Sequence, residues 1–193
     1  MNKRQKEIFG LLLIVFSLLS IISLIGHNIT ENPSNLSTEF IIKNPLSYFG
    51  VYISYYHFII LGYSSIIFPI IILLIGYSTF ANKNIKKYKK DILHILCVGI
   101  WVSIFISYIG GFNDPCPGCP NSITNNFYNH SGLVGFNIYI FLRHILGFYG
   151  SSILILITFI IIITSITKSS IFELFNKIII IFKESLSLMK KIY

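Results

Sequence analysis

Acidic residues are scarce in this sequence. Only seven of its 193 residues are Asp or Glu, against fifteen Lys and Arg, and none of the seven falls inside a long apolar run. A proton-coupled pump keeps an acidic relay within the membrane, so the deficit argues against that class. Charged residues of both signs make up 11% of the chain and hydrophobic residues 54%, with a mean hydropathy of +0.75. That balance excludes an ordinary soluble domain. Alanine occurs once, at Ala81, while Ile, Asn and Lys abound, as in proteins of AT-rich genomes. There is no G-x-x-x-x-G-K-[ST] phosphate loop, no H-E-x-x-H and no G-x-S-x-G. Nucleotide hydrolysis, zincin chemistry and elbow-type hydrolysis therefore lack their hardware. A polytopic bundle uses a chain of this length and leaves no room for a separate catalytic domain.

What is present is four long uncharged stretches. Residues 8–26 follow Lys3, Arg4 and Lys6 and are long enough to cross roughly 30 Å of hydrocarbon. A cleaved signal peptide has a shorter core and a small-x-small exit, whereas Leu24 and Gly26 stand at the nearest such positions, so an uncleaved anchor is expected. Residues 46–82, 92–112 and 145–167 supply three more spans. The formal charge of +8 is concentrated beside these runs, which makes it a topology signal before it is a nucleic-acid signal. Thirteen of the fifteen basic residues lie in the N-terminus, in the connection 81–91 and in the tail after Thr167, leaving Lys43 and Arg143 outside. Both termini are accordingly expected in the cytoplasm, with the loops 27–45 and 112–131 facing outward. Sequons at Asn28, Asn35 and Asn129 carry little weight in so Asn-rich a chain.

The stretch from 46 to 80 is about 52 Å long as one helix, too much for a single span. Gly50 and Gly62 divide it, and Pro69 follows. The same spacing recurs 85 residues later at Gly135 and Gly147, with Ile53 matching Ile138 and Ile60-Leu61 matching Ile145-Leu146. An internal duplication is expected. Twelve helical residues place the two glycines of each pair about 120° apart, so they do not share a packing face. Gly50 and Gly135 instead read as entry points from the outer loop, and Gly62 and Gly147 as hinges between a short helix and a true span. The predicted fold is an all-α integral membrane domain over residues 1–168. It has four transmembrane helices as two repeated hairpins, with short outer-leaflet helices before spans 2 and 4. Residues 169–193 read as a cytoplasmic juxtamembrane helix or linker, mixing Phe172, Phe175 and Phe182 with lysines.

Few residues carry chemistry. Tyr48, Phe49, Tyr52, Tyr55 and Tyr56 read as an interfacial aromatic belt, with Ser47, Ser54 and His57 on one broad face and Asn137 with His144 on the matching helix. His57, His94 and Trp101 read as packing residues, and Arg143 as a snorkelling cation near the interface. Cys116-Pro117-Gly118-Cys119 reads first as a short loop disulfide or idle thiols. A redox dithiol stands beside that reading, but the known four-helix membrane thiol oxidoreductases relay electrons to a second cysteine pair, and only Cys97 remains here. A zinc site would have to recruit His130 and Asp114. No catalytic residue, metal site or cofactor is expected.

The chain resembles the N-terminal four-span membrane domain of FtsK/SpoIIIE DNA translocases. The likeness rests on Lys6-Glu7 with Gly10, on Asn44 with Gly50, on Gly62 followed by Pro69, and on Gly132, Gly135 and Gly147, and runs from about Lys6 to Lys168. The Cys116/Cys119 loop departs from the pattern. The resemblance implies a multi-pass protein of the bacterial cell membrane that self-associates, contacts division-site membrane proteins, and anchors and helps assemble a hexameric motor. In that family ATP hydrolysis and DNA pumping belong to a C-terminal cytoplasmic domain, so this chain is expected to be the anchor alone, neither hydrolysing nucleotide nor binding DNA itself. A membrane thiol oxidoreductase using Cys116 and Cys119 and a small transporter subunit are the competing readings.

Overall fold

A computed structural model describes residues 2–35, 42–111 and 124–167, together with 170, 172, 173 and 180. Among the described residues every regular element is helical: α1 (Lys3–Ile25), α2 (Ser47–Leu61), α3 (Ile67–Phe80), α4 (Lys89–Gly110) and α5 (Thr124–Thr167), joined in part by 3-10 turns at Gly62–Ile66 and Ile85–Tyr88. Among the described residues four segments are long and apolar enough to cross a membrane: Lys3–Ile25, Ser47–Phe80, Ile85–Gly110 and His130–Thr167.

The inward faces are built from small residues. On α1 the buried positions are Gly10, Ser17, Ser20, Ser23 and Leu24, and on α4 they are Gly99, Ser103, Ser107 and Gly110. Leu11, Leu12, Leu18 and Ile22 of α1 are exposed instead. In water this arrangement would be inverted. In lipid the hydrocarbon solvates Leu and Ile as well as a protein core does, so close backbone approach and interhelical hydrogen bonds decide which face turns inward.

Two helix pairs pack most extensively. α1 lies on α3, where Gly10 faces the Phe80 backbone, Gly76 faces Leu13 and Ile14, and Ser17 Oγ donates to the Pro69 carbonyl at 2.7 Å. Pro69 stands in the first turn of α3, where its missing N–H costs little. α4 lies on α5 through Trp101, whose Nε1 donates to the Ile155 carbonyl at 3.1 Å and whose ring stacks between Phe105 and Phe159. Tyr108 Oη meets Ser152 Oγ at 2.9 Å, and His94 Nε2 meets Ser165 Oγ at 2.9 Å.

Backbone landmarks recur at a spacing of 85. Gly26 and Gly111 end α1 and α4 with nearly the same geometry, φ/ψ −86/10 and −93/7. Positive φ occurs at Ser47 (+53) and Gly132 (+72), and again at Gly62 (+58) and Gly147 (+65). The chain therefore turns into its short helices three residues before Gly50 and Gly135, and both of those glycines are helical. Entry at Ser47 is set by Asn44, whose Oδ1 accepts from Leu46 N while its Nδ2 donates to the otherwise orphaned Ser23 and Gly26 carbonyls at the end of α1.

Candidate functional site

The centre of the molecule is a backbone crossing. A Cβ on Gly62 would overlap the His130 carbonyl, and one on Gly132 would overlap the Gly62 and Leu61 amides, so two glycines allow α2 and α5 to touch main chain to main chain. With Gly62 at φ/ψ 58/−135 and Gly132 at 72/172, both occupy regions that side chains disfavour. Gly135 extends the contact against the Ser103 backbone, and Ser103 Oγ donates to the Ser131 carbonyl. Gly50 plays the equivalent part in the first half: a Cβ there would strike the Asn44 side chain, and its carbonyl accepts from Ser23 Oγ at 2.6 Å. Gly147 differs, because nothing lies within 4 Å of its Cβ direction; it breaks α5 without making a contact.

An aromatic relay ties the crossing to the first loop. The His27 ring stacks on Phe58 at 3.8 Å, Phe58 meets Tyr63 edge-on at 5.3 Å, and Tyr63 stacks on His130 at 5.4 Å. Burial lowers the pKa of His27, and the Glu31 carboxylate opposes that shift. Glu31 is itself buried, one oxygen accepting from Lys43 N at 2.6 Å.

The opposite end of the bundle is basic. Lys83 Nζ reaches the Tyr77 hydroxyl at 3.2 Å and lies over its ring, and that hydrogen bond raises the lysine pKa. Lys6, Lys83 and Lys86 border one cleft there, and Lys87 and Lys90 border another.

The other residues singled out by sequence are positioned as follows. His57 Nδ1 contacts the Ile53 carbonyl at 2.7 Å and His144 Nδ1 the Ile140 carbonyl at 3.0 Å, each within its own helix. The Arg143 guanidinium lies over the Phe148 ring at 4.5 Å. Cys116, Cys119 and Asp114 lie outside the described residues, as does nearly all of 169–193; Cys97 is exposed on α4. Among the described residues no three His, Cys, Asp or Glu side chains converge in a way that would hold a metal ion.

Sequence reasoning missed the serines. Ser17, Ser20 and Ser23 recur every three residues, and Gly99, Ser103 and Ser107 every four, spacings that mark one helical face. It also missed that Asn129 stands 85 residues after Asn44, and Gly111 after Gly26.

The bundle, knit by small residues and backbone crossings, belongs to the class of polytopic helical membrane domains. The family model described as the 4TM region of DNA translocase FtsK/SpoIIIE matches residues 2–179, and the chain belongs to that family. No curated protein and no solved structure matches it.

Proposed function

We propose that this chain is the non-catalytic membrane-anchoring and assembly domain of an FtsK-like DNA translocase serving cell division and chromosome segregation. The family match over residues 2–179 carries the reading, and the sequence contains no phosphate loop. ATP hydrolysis and DNA pumping then belong to a motor beyond this sequence. The domain is two copies of one unit in the cell membrane, each a span, an outer loop, an outer-leaflet helix and a returning span, with both termini cytoplasmic. Supporting the duplication are the paired helix ends at Gly26 and Gly111 and the paired positive-φ residues 85 apart. Supporting the orientation is the concentration of lysine at one end. Self-association proceeds through the exposed faces of the spans, and division-site membrane proteins are the partners that localise it.

Fluorescent fusions of the chain, combined with in-membrane crosslinking, test this proposal. The expected result is crosslinked oligomers concentrated at division sites. A uniformly distributed monomer would overturn it.

A further inference from the structure

At the basic end, the hairpin between α3 and α4 folds into a cleft of about 670 Å³ against the start of α1. Its lining combines three cations, Lys6 of α1 with Lys83 and Lys86 of the turn, and three apolar side chains, Phe9, Ile75 and Ile85. Phe9 and Ile85 are also substantially exposed.

The turn is held rigidly. Asn82 takes a left-handed conformation at φ +51, Lys83 N donates to the Ser78 carbonyl at 2.8 Å, and Ser78 Oγ returns a hydrogen bond to the Lys83 carbonyl. Asn84 caps the following 3-10 turn by accepting from Lys86 N at 3.0 Å. Asn82 Nδ2 donates to Glu7 Oε1 at 3.3 Å, which joins the turn to α1 and leaves one carboxylate beside the three lysines.

None of the three lysines forms an ion pair among the described residues. Lys83 spends one donor on the Tyr77 hydroxyl and keeps two. The neighbouring cleft is bordered by two lysines, Lys87 and Lys90, with Asp91 in its lining, so its cationic excess is smaller.

From this juxtaposition we propose that the Lys6–Lys83–Lys86 cleft binds the phosphate headgroup of an anionic phospholipid. The phosphodiester sits among the three ammonium groups and an acyl chain lies along Phe9 and Ile75. The lysines flank the ends of apolar spans that finish at Phe80 and begin again at Ile85, and basic residues at the ends of a membrane-crossing span meet the headgroup layer. A free phosphate would satisfy the lysines but leave the apolar side chains uncovered. The proposal requires only that the helices span the bilayer, and is independent of which side their basic ends face.

The test is native mass spectrometry of the full chain released from detergent micelles containing dioleoylphosphatidylglycerol or dioleoylphosphatidylcholine. The phosphatidylglycerol should remain bound and the phosphatidylcholine should not. Replacing Lys6, Lys83 and Lys86 together by Gln should lower retention by about tenfold or more. A charge-matched variant carrying Gln at Lys177, Lys190 and Lys191 should retain the lipid. Exposed Lys→Gln changes leave the buried small-residue contacts intact, so loss of folding does not confuse the result. Equal retention by the Lys6/Lys83/Lys86 variant, or equal loss in the tail variant, would overturn the site. Displacement of the lipid by millimolar inorganic phosphate would overturn the lipid as its source.

Discussion

At Gly62 two constraints coincide, a positive φ and a main-chain contact, whereas at Gly147 only the first is present. Side chains in these backbone regions cost on the order of 1–3 kcal/mol. Gly147→Ala should therefore lower stability by roughly that amount. Gly62→Ala should cost more, because His130 can move away only if α2 and α5 separate. Thermal unfolding of the detergent-solubilised chain ranks the two, and equal losses would show that the crossing does not limit stability. His27 gives the fold a pH dependence. Its folded-state pKa lies below the unfolded value of 6.5, because burial disfavours the imidazolium. The unfolded chain therefore takes up a proton first as pH falls through 6.5, and stability drops until the lowered folded pKa is reached. Well above 6.5 both states are neutral and the contribution is fully present. A melting profile should fall between pH 7.5 and 5.5, and His27→Gln should flatten it.

Helix packing in this bundle distinguishes contacts to backbone from contacts to side chains. A Cβ at Gly10 would collide with the Phe80 amide and approach the Gly76 carbonyl, and neither can rotate away. A Cβ at Gly99 would meet the Ile67 side-chain tip, which has other rotamers. Gly10→Ala should accordingly destabilise the protein more than Gly99→Ala, measured by unfolding in increasing dodecyl sulfate. The Ser17 hydrogen bond to Pro69 belongs to the same α1–α3 pair, and Ser17→Ala should cost about 0.6 to 2 kcal/mol, the range of interhelical hydrogen bonds in membranes. Ser17→Leu should cost more than Ser17→Ala, since a fully buried position has no space for the branch.

For the whole molecule, the lysine distribution makes orientation testable. In a background carrying Ser at Cys97, Cys116 and Cys119, a cysteine at Lys87 should resist an impermeant thiol reagent applied outside the cell, and one at Asn125 should react. An accessible Lys87→Cys would invert the proposed topology. The same background tests the cysteines: insertion should be intact and stability little changed, since Cys116 and Cys119 are idle thiols or at most close a very short loop.

Four spans and the all-helical class were legible in the sequence because they depend on composition and length, and the family because it depends on glycines at particular spacings. Hydrocarbon requires every backbone polar group to be satisfied within its own segment, so a long uncharged run already specifies a helix. Gly62 was legible as an interruption because the apolar stretch 46–80 exceeds one span, and Gly147 because it matches Gly62 in the 85-residue repeat. The sequence did not reveal that Gly62 is a contact and Gly147 is not, nor that Ser17, Ser23 and Ser103 donate to carbonyls on other helices. Nor did it place Asn44 as the link from the end of α1 to the start of α2. Those roles depend on which backbones meet. In a membrane, burial of apolar side chains contributes little to that choice, and tertiary packing settles it through close approach and hydrogen bonding.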